Sequence, residues 1–167
     1  GDFLAYMGEL YSASNLTVVI AGGFDPKRAN ELVEKYFFEM KRFDTKQFVS
    51  LKEAQEKPEV LVKEKKTEQI HIALGFRTVS VHSDKRYTLS VLSAILGGEM
   101  SSRLLHEVRE KRGLAYYVRT HADEYADAGT LVSMAGIDPK RVTEAIAVIV
   151  EEYARVSRGE MRLTDEE

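Results

Sequence analysis

Residues 70–76 read Ile70-His71-Ile72-Ala73-Leu74-Gly75-Phe76. Ile70, Ile72, Leu74 and Phe76 point one way and His71, Ala73 and Gly75 the other, the period of a strand with one apolar face. The neighbouring patterns build outward from this strand. Upstream, Val60-Leu61-Val62 is read as a short strand followed by the charged turn Lys63-Glu64-Lys65-Lys66. Downstream, Asp84 opens a helix carrying Tyr87, Val91, Leu92, Ile95 and Leu96, closed by Gly97-Gly98. A shorter helix is expected from about Ser102 to Arg112, with Leu104, Leu105 and Val108 on its apolar side and Gly113 at its end. Two strands, about 114–122 and 129–135, flank an Asp127-Ala128-Gly129 turn. A long amphipathic helix then begins at Asp138-Pro139 and carries Val142, Ala145, Ile146, Ile149, Val150 and Tyr153.

The first forty residues follow a different plan. Leu16-Thr17-Val18-Val19-Ile20-Ala21 is a β-branched apolar run that ends in Gly22-Gly23, read as a buried strand. Asp25-Pro26 opens a helix with Ala29, Leu32, Val33, Tyr36 and Phe37 on one face. Residues 39–58 are polar and charged over a length unusual for a loop inside a compact domain, so they are read as a linker. Gly23-Phe24-Asp25-Pro26-Lys27-Arg28 recurs as Gly136-Ile137-Asp138-Pro139-Lys140-Arg141. A shared helix-start signal and an internal duplication both account for that repeat. The element order, β-α, linker, β-β-α-α-β-β-α, predicts an α+β class with a mostly antiparallel sheet and helices packed on it.

Composition sets the outer limits. The chain has 167 residues, and its 24 Lys+Arg against 27 Asp+Glu give a net charge of −3. A hydrophobic share of 44% beside 31% charged residues describes a globular chain rather than a disordered one. With no cysteine there is no disulfide framework, zinc ribbon or thiol nucleophile. The acidic balance argues against a dedicated nucleic-acid partner. No apolar run reaches the ~20 residues of a membrane span. The N-terminus lacks the pattern of a signal peptide and an initiator Met, and Leu163-Thr164-Asp165-Glu166-Glu167 reads as the opening turn of a helix. These ends suggest a piece of a longer protein, and a cytoplasmic location is the expectation.

Four histidines, His71, His82, His106 and His121, form no His-Glu-x-x-His or His-x-x-Glu-His pair, so no metal ligand is assigned in this chain. Ser101-Ser102 lies beside Gly97-Gly98 without a nucleophile elbow, and Ser as a helix cap is the simpler reading. Lys111 and Arg112 suit the negative end of a helix dipole. That leaves the rest of the string from Leu96 to Val118 unexplained.

Here the sequence resembles a known family. Gly97-Gly98-Glu99-Met100-Ser101-Ser102-Arg103-Leu104, followed by Arg109-Glu110-Lys111-Arg112-Gly113-Leu114-Ala115-Tyr116, is similar to the pitrilysin/insulinase-type zinc metallopeptidases. The shorter branch, which includes mitochondrial processing peptidase and bacterial homologues, is the one it resembles most. Residues 11–22 resemble the strand that closes the family's first domain, and Leu163 to Glu167 a later helix start. The resemblance implies two homologous α/β domains facing each other across a chamber. It implies an inverted zinc motif in the first domain and, in the second, an Arg and a Tyr seven residues apart that reach the bound peptide. Those positions match Arg109 and Tyr116, with Gly97, Gly98, Met100, Ser101 and Ser102 shaping the wall beside them.

The zinc motif would lie upstream of Gly1. The resemblance therefore implies zinc in the parent protein and none bound by this segment. It divides the chain into residues 1–40, the end of the first peptidase-like domain; 41–58, the interdomain linker; and 59–167, the front of the second. The expected function is a fragment of a zinc endopeptidase, inactive alone, that positions a peptide or unfolded polypeptide against a zinc-bearing domain or homologous subunit. The alternative is a non-catalytic homologous subunit or structural interaction module. A nucleic-acid module using Arg103, Arg109, Lys111, Arg112 and Arg119 is a more distant reading.

Overall fold

The structure is a computed structural model and describes residues 1–160. The chain divides into two units, Gly1–Ser50 and Leu51–Glu167. The helix start expected at Leu163 to Glu167 lies outside the described residues.

The first unit holds helices α1 (Asp2–Leu10) and α2 (Pro26–Phe37). Asp25 caps α2 as the sequence predicts: its carboxylate accepts the Lys27 N–H at 2.9 Å, and Pro26 occupies the first helical position, where no donor is needed. The buried Ser12 ties residues 11–15 to residues 41–43. Its hydroxyl donates to the Phe43 carbonyl at 2.7 Å and accepts the Phe43 N–H at 2.9 Å, and Ala13 N–H donates to the Lys41 carbonyl at 3.1 Å. The strand expected over 16–21 does not form. Leu16 is extended, but Val19 is 82% exposed, and no strand among the described residues pairs with this run. A β-branched run supplies the propensity, but a ladder requires a neighbouring strand.

The second unit is built on three strands, β1 (Ile70–Thr78), β2 (Ala115–Glu124) and β3 (Gly129–Ile137), in the order β1-β3-β2 with both pairings antiparallel. Val60-Leu61-Val62 adds no fourth strand; Leu61 is 97% exposed. The alternation read from residues 70–76 is realised in the register. Ile72, Leu74 and Phe76 lie opposite Ala135, Ser133 and Leu131 of the central strand, while Val118 and Thr120 lie opposite Ala135 and Ser133 from the other side. β2 and β3 form a hairpin in which Tyr125 N–H donates to the Ala128 carbonyl at 2.8 Å.

Helix α3 (Lys85–Ser93), a π-helical turn (Ala94–Gly98), a π-helical segment (Leu105–Glu110) and helix α4 (Val142–Ser157) complete the unit. Leu96, Leu104, Val108, Val118, Ala135, Ile137 and Ile149 are buried in one apolar core. Each large aliphatic side chain buried there contributes about 1.5–3 kcal/mol. The helix expected over Ser102 to Arg112 exists, but its centre has π pitch. Within two turns α and π helices place apolar residues at nearly the same spacing, so the sequence pattern does not separate them.

A line of hydroxyls crosses this core. Thr120 Oγ1 lies 2.6 Å from Ser133 Oγ, which lies 2.7 Å from the Tyr153 hydroxyl of α4. Burial pushes the Tyr153 phenol up, and its ring packs tilted against Phe76 with the centroids 4.6 Å apart. The hydroxyls satisfy one another, which removes the cost of burying them unpaired. The same Thr120 sets how near the π-helical turn approaches β2. A Cβ at Gly97 would lie 2.6 Å from the Thr120 backbone nitrogen and closer still to Oγ1. Gly97→Ala therefore forces the turn off the strand and is expected to cost about 1–3 kcal/mol. At Gly98 a Cβ would meet nothing nearer than 3.4 Å. Denaturant unfolding of the two variants should show a much larger loss for Gly97→Ala; equal losses would contradict this packing.

Candidate functional site

The Arg109 to Tyr116 stretch folds as a helix end, a tight turn and a strand start. Leu104, Leu105 and Val108 are buried and pin the π-helical segment, with Leu114 buried just past the turn. Between them Gly113 takes a left-handed conformation, φ +57°. Its N–H donates to the Arg109 carbonyl at 2.9 Å, and the Leu114 N–H donates to the Val108 carbonyl at 2.8 Å. The chain thus reverses onto β2 within a few residues of Arg109.

At the start of β2 the register slips. Ala115 lies opposite Ile137 and Tyr117 opposite Gly136, so two residues of β2 advance against one of β3. Tyr116 is the extra residue of a β-bulge, a feature that re-aims side chains beside functional sites. It is 61% exposed. Arg109 is also exposed, on a π-helical segment, another geometry common at functional sites.

The charges around this turn are unequally occupied. The Glu107 carboxylate accepts from Arg112 and, at 3.2 Å, from Lys111. The Arg112 guanidinium also donates to the Glu107 carbonyl at 2.8 Å. Arg141, paired with Glu144, donates to the Arg112 carbonyl at 2.9 Å. Lys111 and Arg112 therefore hold the turn together. Arg109 has no ion-pair partner among the described residues.

The other expected wall residues separate into two groups. Gly98, Ser101 and Met100 are exposed, Met100 at 76%. Gly97 and Ser102 are buried: Gly97 admits the close approach of β2, and Ser102 Oγ has no hydrogen-bond partner among the described residues. The π-helical turn bearing Gly97 and the segment bearing Arg109 both pack on β2, the strand that carries Tyr116. Reasoning from sequence did not single out the His71–Tyr117 pair, whose Nδ1 and hydroxyl are 3.0 Å apart. The strand register, which brings His71 and Tyr117 to the same residue of β3, is the signal that locates it.

Two histidines pair with single carboxylates: His106 with Glu110 at 3.1 Å and His121 with Asp123 at 3.3 Å. Among the described residues no group of three or more His, Asp or Glu could hold a metal ion. A catalytic zinc needs three protein ligands and an open position. The described residues supply no such set of donors. No helix among the described residues is long and apolar enough to cross a membrane.

The hydrogen bond from Arg112, aided by Lys111, holds the Glu107 carboxyl below the usual carboxylate range. A lowered folded-state value means its stabilisation is full at neutral pH and is lost as pH falls through that lowered value. Glu107→Gln should therefore cost about 1–3 kcal/mol at neutral pH. The difference from the parent should close as both are titrated below the carboxylate range. A pH-independent difference in urea unfolding would contradict this role.

Comparison with known proteins agrees with this architecture. Residues 1–167 match the family described as "Peptidase M16 inactive domain". An uncharacterized zinc protease of Bacillus subtilis, YmxG, is 35% identical over 161 residues, 95% of this chain and 38% of the relative. A second Bacillus subtilis relative, YmfF, named a probable inactive metalloprotease, is 29% identical over 153 residues, 90% of this chain and 35% of its own length. The crystal structure of a protease from Helicobacter pylori superposes with a TM-score of 0.73 at 22% identity, over 96% of this chain and 40% of that one, and shares the fold. The chain thus spans well under half the length of these relatives. It belongs to the M16 family, the pitrilysin-type zinc metallopeptidases, and matches that family's inactive domain.

Proposed function

We propose that this chain is the substrate-positioning part of a two-domain zinc endopeptidase and is inactive without the zinc-bearing partner. Residues 1–40 would end the first domain, 41–58 would link, and 59–167 would begin the second. Relatives named zinc proteases support zinc in the parent. The observation that carries the reading is the division of labour at the turn. Lys111 and Arg112 are tied to Glu107, while Arg109 and the bulged Tyr116 stand exposed, Arg109 without an ion-pair partner among the described residues.

Their chemistry suits a peptide. The Arg109 guanidinium offers forked donors to a substrate carbonyl, and the Tyr116 hydroxyl can donate to a carbonyl oxygen as negative charge develops there. Gly98, Met100 and Ser101 would line the approach. The substrate would be a peptide or unfolded polypeptide, and the partner a zinc-bearing domain or homologous subunit. A cytoplasmic location belongs to the same proposal, and cell fractionation tests it. The relative named a probable inactive metalloprotease favours a second reading, a non-catalytic homologous subunit that binds peptide beside an active one.

In the zinc-loaded longer protein, Tyr116→Phe should lower kcat by ~10²–10³ through loss of one oxyanion donor, with zinc content unchanged. Arg109→Ala should chiefly raise KM. Cleavage by both variants at the parent rate would remove these residues from the mechanism. Absence of cleavage in the parent, with peptide binding retained, would select the second reading.

A further inference from the structure

The bulge leaves Tyr116 with no partner on β3, so its direction depends on the residues either side of it. On one side Leu114 and Ala115 are buried in the core. On the other, Tyr117 faces away from that core. Its neighbour Val118 is buried, and strand side chains alternate. His71, Gly136 and Tyr117 form one row across β1, β3 and β2. The Tyr117 ring crosses the central strand at Gly136, and its hydroxyl lies 3.0 Å from His71 Nδ1, with the two rings tilted by 31°. A Cβ at Gly136 would lie 2.5 Å from Tyr117 Cε1, so the missing side chain is what opens this path. The bulge is therefore clamped from both faces of the sheet.

We propose that His71 is a positioning residue: by holding Tyr117 across Gly136 it fixes the β-bulge that presents Tyr116. The proposal rests on the reading of Tyr116 given above. The His71–Tyr117 hydrogen bond is exposed, so its loss should affect the direction of Tyr116 far more than global stability. Nothing in the core packing requires it, since the apolar side of β1 is formed by Ile72 and Leu74. His71 acts through Tyr117 and need not touch substrate.

A double-mutant cycle in the zinc-loaded longer protein tests this. Tyr117→Phe, which keeps the ring and removes only the hydroxyl, and His71→Ala should each lower kcat about tenfold with KM little changed, the scale of a small misplacement of a reacting group. In a Tyr116→Phe background both effects should vanish. Hydrogen–deuterium exchange over residues 114–118 should quicken in His71→Ala and in Gly136→Ala. Equal kcat losses in both backgrounds would overturn the proposal, as would unchanged kcat in the presence of Tyr116 or unchanged exchange. If Tyr116→Phe itself leaves turnover intact, the reading of Tyr116 fails and this proposal falls with it, an outcome distinct from the others.

Discussion

The second unit depends on a buried seam between the π-helical segment and β2. Leu104, Leu105 and Val108 on one side and Val118 on the other exclude water, and the chain connects them through the left-handed Gly113. Most other residues at that φ carry a Cβ penalty of about 1–2 kcal/mol. With the seam closed, the seven-residue interval from Arg109 to Tyr116 becomes a fixed spatial relation rather than a flexible one. Glu107 strengthens it by drawing Arg112 and Lys111 back onto the same turn. The burial that folds the segment also sets the exposed surface that carries Arg109 and Tyr116.

Several devices on β2 serve the same end. Gly97 lets the π-helical turn sit directly against Thr120, and the Thr120–Ser133–Tyr153 hydroxyl line ties β2 through β3 to α4. A strand held this firmly can carry a bulge without losing its register further along, because Val118 and Thr120 remain opposite Ala135 and Ser133. The irregular residue is thereby confined to the end nearest Arg109.

Much of this was legible in the sequence. The strict alternation at Ile70 to Phe76 and the turn residues near Asp127 specify the sheet, since a period of two has one structural meaning. Asp25-Pro26 specifies a helix cap that the structure realises with a side-chain bond to Lys27, while Asp138, bonded to Lys140, caps a 3-10 turn, Pro139–Arg141, and the long helix starts only at Val142. The strands expected over 16–21 and 60–62 do not form, because propensity is local and pairing is not. The π pitch, the bulge at Tyr116 and the His71–Tyr117 contact left no local trace: Tyr116-Tyr117-Val118 reads as unbroken strand, and the slip exists only relative to β3. Arg109 and Tyr116 could be named from the family motif, yet their difference from Lys111 and Arg112 emerges only once Glu107 is placed.

If the proposed role is right, Arg109 and Tyr116 face the bound peptide. A crystal structure of the longer protein with an uncleaved peptide tests it most directly. The Arg109 guanidinium and the Tyr116 hydroxyl should lie within hydrogen-bond distance of peptide carbonyl oxygens. A peptide bound with neither residue in contact would contradict it.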